Sequence, residues 1–100
     1  MYQLYFSDAT VERLLGVADY FQVKMILDQA EDYLIASTAF TVAAKLKLSG
    51  EYRLVHLQGQ CLKSFTKIAD IKKLKEAKEY AEFSDATKLS LLEKIMKLPE

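Results

Sequence analysis

Residues 12–34, ERLLGVADYFQVKMILDQAEDYL, recur in altered form at residues 43–65, AAKLKLSGEYRLVHLQGQCLKSF. A shift of thirty-one positions lays Leu15 on Leu46, Val17 on Leu48, Phe21 on Tyr52 and Val23 on Leu54. It also carries Ile26 onto Leu57, Gln29 onto Gln60, Ala30 onto Cys61 and Leu34 onto Phe65. A fixed period in this range marks a supersecondary unit that stacks on its neighbour, because one unit cannot bury its own apolar face. Here the unit reads as a helix, a tight turn and a second helix. A chain built in this way presents helical surfaces, which favours interaction over catalysis.

The rest of the chain extends the same pattern. Met1 to Phe6 is short, aromatic and partly alternating, and suits the stub of a strand or the end of a preceding helix. Ser7 and Asp8 offer N-cap oxygens for a helix starting near Ala9. Its apolar positions Val11, Leu14, Leu15, Ala18 and Phe21 follow helical spacing. Gly16, inside it, costs about 1 kcal/mol relative to alanine and so implies a close helix contact.

A break near Gln22 leads to a second helix over about 23–36. Ile26, Leu27, Ala30, Tyr33 and Leu34 lie on one side, and the acids Asp28, Glu31 and Asp32 largely on the other. Ser37 and Thr38 are cap candidates for a third helix over about 39–51, carrying Val42, Ala43, Leu46 and Gly50. A fourth, over about 54–65, turns Leu54, Leu57, Cys61 and Phe65 inward. Ile68, Ile71, Leu74 and Ala77 mark a fifth, and Leu89, Leu92, Ile95 and Met96 a last one, which Pro99 would stop. The prediction is an all-α array of about six short helices, packed as successive helical hairpins.

Composition agrees with this fold class. One hundred residues suit a single domain, and 51% hydrophobic residues are ample for a core. Three glycines and one proline are few, while six tyrosines and five phenylalanines supply large core anchors. Cys61 is the only cysteine, so no internal disulfide can form, and it sits in an apolar helical stripe. A reducing, intracellular location, cytoplasmic or nuclear, fits that usage, and no signal peptide or membrane-length apolar run is present.

The net charge is zero, which gives no electrostatic reason to expect a nucleic acid or a membrane as partner. The charge is nevertheless uneven. Residues 1–36 carry six acids against two bases, residues 45–75 two acids against eight bases, and residues 76–100 six acids against four bases. Lysines of the 67–78 stretch are interrupted by Asp70 and Glu76, and arginine, which forks onto phosphate and base edges, is absent there. That composition describes a solvated helix rather than a nucleic-acid patch.

Chemistry of the enzymatic kind has little to stand on. His56, the only histidine, takes the repeat position of Met25 and reads as a packing or surface residue. One histidine and one cysteine five apart do not make a metal site. Glu31-Asp32 and Glu79–Glu82 read as acidic pairs on exposed faces, unlike the environment-separated carboxylates of acid–base catalysis. The glycines at 16, 50 and 59 stand alone, so no phosphate loop exists. No catalytic, cofactor or metal residue is expected.

The segment Val11-Glu12-Arg13-Leu14-Leu15-Gly16-Val17-Ala18-Asp19-Tyr20-Phe21-Gln22-Val23 resembles the LL-x-x-A-D-x-x-x-V signature of BTB/POZ domains. Asp28-Gln29-Ala30-Glu31-Asp32-Tyr33-Leu34 is similar to its continuation. The wording of residues 11–35 resembles most the nematode-type proteins that join a MATH domain to a BTB domain, although no MATH sequence is present. Residues 41–65, with Ala44-Lys45-Leu46-Lys47-Leu48 and Glu51-Tyr52-Arg53-Leu54, resemble the helix pair that opens the BACK, or three-box, region. Leu74 to Ser84 is similar to a later BACK helix, with Phe83 in place of the usual leucine.

The resemblance implies two parts: C-terminal helices of a BTB/POZ-like domain at 1–36, and a BACK-like helical region at 37–100. The N-terminal BTB sheet is not in the sequence. It also implies a protein–protein interaction module, part of an adaptor that brings substrates to a cullin-type ubiquitin ligase. The alternative is a helical oligomerisation module with no ligase role. Leu4-Tyr5 matches the family's cullin-touching tyrosine, which makes Tyr5 the candidate partner-binding residue, although Phe6 stands where that family carries Thr or Ser. With the first half of a BTB domain absent, Val11, Leu14, Val17 or Phe21 is expected to lose partners and form an exposed patch that self-association could cover.

Overall fold

The computed structural model describes residues 6–98, and within them all regular structure is helical. The α-helices are α1 (Val11–Tyr20), α2 (Lys24–Ala36), α3 (Val42–Tyr52), α4 (Val55–Lys63), α5 (Ile68–Leu74) and α6 (Asp85–Lys97). A short 3-10 helix, Lys78–Glu82, lies between the last two. Met1 to Tyr5 and Pro99 fall outside the described residues, so the expected N-terminal stub and proline stop do too.

The repeat is present in the backbone as well as in the sequence. Gln22 and Arg53, thirty-one residues apart, are the only described non-glycine residues with positive φ, at 56° and 57°. Each is followed by an equivalent bond: Val23 N–H donates to Ala18 O at 2.8 Å, and Leu54 N–H to Ser49 O at 2.9 Å. This six-to-one closure with a left-handed residue is the Schellman way of ending a helix, and it folds α1 onto α2 and α3 onto α4. The second hairpin then packs on the first through α1 with α3 and α2 with α4.

Helix starts differ from the expected ones for reasons of local hydrogen bonding. Ser7 and Asp8 do not cap α1. Ser7 O accepts from Thr10 and Val11 N–H in a turn, which delays the helix to Val11. Asp8 instead accepts from the Tyr33 hydroxyl at 2.7 Å, a bond that raises the tyrosine's pKa. The cap of α3 is Thr41, whose Oγ1 accepts from Ala44 N–H at 3.1 Å, while Ser37 Oγ accepts from Ala39 N–H. The fifth helix stops at Leu74 rather than running through Ala77. Its start is held by Asp70, whose carboxylate accepts from Thr66 and Lys67 N–H and is thereby shifted to a lower pKa.

The core joins both repeats to the C-terminal helices. Leu15, Leu34, Leu46 and Leu57 are fully buried, and Phe65, Ile71, Leu74, Phe83 and Leu91 extend the same cluster. Leu54, Leu57, Cys61 and Phe65 all face in, as their spacing predicts. Other expected inward positions do not: Leu14 is half-buried, and Val42 and Phe21 are exposed. On α6 the inward stripe is Thr87, Leu91 and half-buried Ile95, so Leu89, Leu92 and Met96 point to solvent.

The three glycines fare differently. A Cβ on Gly16 would lie 3.6 Å from the Tyr52 hydroxyl, an ordinary contact, so α1 and α3 do meet there but would tolerate alanine. Gly59 faces open space inside α4. Gly59→Ala is expected to stabilise the fold by about 0.5–1 kcal/mol through helix propensity alone. Chemical denaturation should show the midpoint rising at unchanged slope.

Cys61 lies beside Ile35, Val42 and Lys45, and burial pushes its thiol from 9.0 up to about 11. The neutral thiol is therefore favoured by folding. This contribution is complete below the unfolded pKa and is lost as pH rises from 9.0 towards about 11. Denaturation midpoints measured across that window should fall for the native chain and stay flatter for Cys61→Ala.

Candidate interaction surface

The junction of the two hairpins is organised by one buried carboxylate. Glu31, on α2, is 5% exposed. One of its oxygens accepts from Leu57 N–H at 2.9 Å and the other from His56 Nδ1 at 3.2 Å. Leu57 is the third residue of α4, whose N-cap position, Leu54, has no side-chain oxygen to offer. Glu31 thus caps α4 from another helix, satisfying an orphan donor and placing negative charge at the positive end of the helix dipole. Sequence reading had placed Glu31 on a solvated face. Its register on α2, adjoining Ala30 and Leu34, turns it towards α4 instead.

His56 is itself exposed, with 81% of its side chain open to solvent, so it serves as a lid on the buried carboxylate rather than as a core residue. Around this pair lies a groove of about 320 Å³ between the two Schellman turns, lined by Asp19, Lys24, Asp28, Tyr52, Arg53 and Val55 among others. Arg53 and Asp19 approach to 3.8 Å across it, an exposed pairing worth little in itself. Both Glu31 oxygens are engaged, which gives the pair a structural task. Among the described residues, no three metal-ligating side chains converge. No described helix is long and apolar enough to cross a membrane.

The larger feature is apolar and lies at the turn end of the first hairpin. Val17 is 51% exposed, Phe21 68% and Met25 62%, and Tyr20 stacks edge-on against Phe21 at 5.0 Å. Side chains of this size left outward together mark a surface made for contact. Of the four candidates for an exposed patch, Val17 and Phe21 belong to it, whereas Leu14 is half-buried and Val11 completely buried. A second apolar stripe, Leu89, Leu92 and Met96, runs along α6. Lysines 67, 72, 73, 75 and 78 are all exposed, as expected of a solvated face. Tyr5, the candidate partner-binding residue, lies outside the described residues; its neighbour Phe6 packs on Tyr33 with ring centroids 5.8 Å apart.

Comparison with known proteins places these helices in context. The chain is similar to BTB and MATH domain-containing protein 38 of Caenorhabditis elegans, with 35% identity over 88 residues, 88% of this chain and 23% of that protein. It is also similar to BTB and MATH domain-containing protein 36 of the same organism, 33% identical over 94 residues, covering 94% of this chain and 29% of that protein. The chain therefore spans about a quarter of the length of these curated relatives. No family model matches the sequence, and no solved structure matches the fold. The relatives' names carry the BTB domain that residues 11–35 resemble.

Proposed function

We propose that this chain is a protein–protein interaction module of a substrate adaptor for a cullin-type ubiquitin ligase. In this reading residues 1–36 are the C-terminal helices of a BTB/POZ-like domain, and residues 37–100 are the opening of a BACK-like region. The observation that carries the interaction role is the set of outward aromatic and apolar side chains at Val17, Tyr20, Phe21 and Met25. The ligase link rests on the likeness of residues 11–35 to BTB sequences and on the names of the similar proteins. Substrate recognition then belongs to another part of the protein, and Tyr5 is the residue proposed to touch the cullin-type scaffold.

Titration calorimetry of the chain with a purified cullin-type scaffold tests this reading. Saturable binding, weakened about tenfold or more by Tyr5→Ala, is the expected result, the size being that of an aromatic interface anchor. No heat of binding at any concentration, with Tyr5→Ala indistinguishable from the native chain, would remove the ligase role. The alternative, an oligomerisation module with no ligase role, draws on the same outward side chains.

A further inference from the structure

Between α5, the 3-10 helix and α6 lies a hollow of about 150 Å³. Helical spacing sets one wall: Lys88, Leu91, Leu92 and Ile95 fall at i, i+3, i+4 and i+7 on one flank of α6. Ile71 of α5 and the Tyr80 ring complete the apolar lining, and Ile71 and Leu91 are themselves core residues. An apolar cavity of about this volume accepts a six-carbon ring, so the hollow suits a ring or branched chain of about six carbons.

The charge on this hollow is of one sign. Lys75, the residue that closes α5, and Lys88 stand on the lining, and no acid shares it. The Lys88 ammonium is held 5.1 Å from the centre of the Tyr80 ring, which keeps it beside the hollow. Neither lysine makes an ion pair among the described residues. Acids close by in sequence are engaged or placed elsewhere: Glu82 pairs with Lys47 at 3.3 Å, and Glu76, Glu79 and Glu93 do not line the hollow. An apolar floor with a few convergent polar groups is the usual make-up of a small-ligand site. Two cations beside such a floor are complementary to an anionic head on a short apolar body. A carboxylate is the anion that peptide ends and small apolar acids both carry.

We propose that this hollow binds a carboxylate carried on a short apolar body. The body rests on Ile71, Leu91, Leu92 and Ile95, and the carboxylate lies between Lys75 and Lys88. The same chemistry is offered by a free acid the size of 4-methylpentanoate and by the last residue of a peptide ending in leucine. The site shares no residue with the face at Val17, Tyr20, Phe21 and Met25, nor with Tyr5. It therefore stands or falls separately from the ligase reading.

Methyl NMR titrations of the 100-residue chain are the test, with helix content of each variant checked by circular dichroism. With 4-methylpentanoate, saturable shifts should be confined to the methyls of Ile71, Leu91, Leu92 and Ile95. The acid should bind about fivefold tighter than its neutral amide, since each exposed ion pair contributes little. Raising the salt concentration should erase that preference and leave binding of the amide unchanged. Lys75→Gln combined with Lys88→Gln should erase it too, whereas Lys88→Arg should keep it. Should the double variant lose helix, the salt series on the native chain gives the same readout. Acetyl-Gly-Gly-Leu with a free carboxylate separates the two sources. Tighter binding than the free acid makes a peptide end the ligand, and weaker binding makes it the small acid. The proposal is overturned by an absence of shifts at these methyls up to the solubility limit of the acid. Equal binding of acid and amide overturns it as well, as does a preference that survives both salt and the lysine changes.

Discussion

Glu31→Ala is expected to lower the stability of the fold by about 3 kcal/mol, among the largest effects of any single change outside the apolar core. The substitution strands the buried Leu57 N–H, which Glu31 engages at 2.9 Å. An unsatisfied buried donor costs about 1–3 kcal/mol, and a charge-assisted bond sits at the upper end of that range. It also empties the space between α2 and α4 and removes the negative charge from the α4 N-terminus. For a domain of this size the melting temperature should fall by more than about 10 °C. Glu31→Gln keeps an acceptor for Leu57 and loses only the charge, so it should cost about 1 kcal/mol. Thermal melts of the two variants decide the matter. Equal effects would mean that space filling, not the trans cap, holds the hairpins together.

Gly50→Ala is expected to cost about 2 kcal/mol, even though alanine is the better helix former by about 1 kcal/mol. The added Cβ would run into Thr87 Oγ1 and would lie 3.1 Å from Ser84 Oγ. Neither side can yield cheaply. Thr87 is 1% exposed, its hydroxyl bonds Ser84 Oγ at 3.0 Å, and Ser84 caps α6 through Thr87 N–H at 3.2 Å. Overpacking at such a site forces helices apart or side chains off their rotamers. Thr87→Ala in the Gly50→Ala background should restore part of the loss, and a double-mutant cycle by chemical denaturation would show the coupling. Simple additivity would place the strain elsewhere. Paired with Gly59→Ala, where the expected change has the opposite sign, the experiment separates backbone propensity from close approach.

Much of this architecture was readable in the residues because helical periodicity and the repeat act together. The shift laid Gln22 on Arg53, and the fold gives both the same left-handed backbone and the same closing hydrogen bond. Leu57, Cys61 and Phe65 were legible for the same reason: their apolar spacing leaves one face for the core. What misled was apolar character without a partner. Leu89, Leu92 and Met96 satisfy helical spacing as well as any core stripe, yet Thr87 and Leu91 take the inward side because Gly50 admits Thr87 to α3. Spacing reports that a face exists, not which body covers it.

Glu31 was missed for a related reason. A carboxylate beside Asp32 reads as solvated until the uncapped N-terminus of α4 is brought against it, twenty-six residues further along. One clue was present: Leu54 occupies the N-cap position with nothing to offer Leu57. The open face at Phe21 was half legible. An exposed patch was expected from Val11, Leu14, Val17 or Phe21; Val11 faces the shared core, while Phe21 belongs to the turn. The likeness of residues 11–35 to BTB sequences agrees with the names of the similar proteins.

The central claim is that Phe21 and Tyr52 hold equivalent positions, one uncovered and one covered by the preceding hairpin. Hydroxyl-radical footprinting of the dilute chain, read by mass spectrometry at single residues, tests it directly. Phe21 and Met25 should be oxidised rapidly and Tyr52 slowly. Protection of Phe21 and Met25 at the lowest concentration, equal to that of Tyr52, would mean that the chain covers this face by itself and would contradict the account.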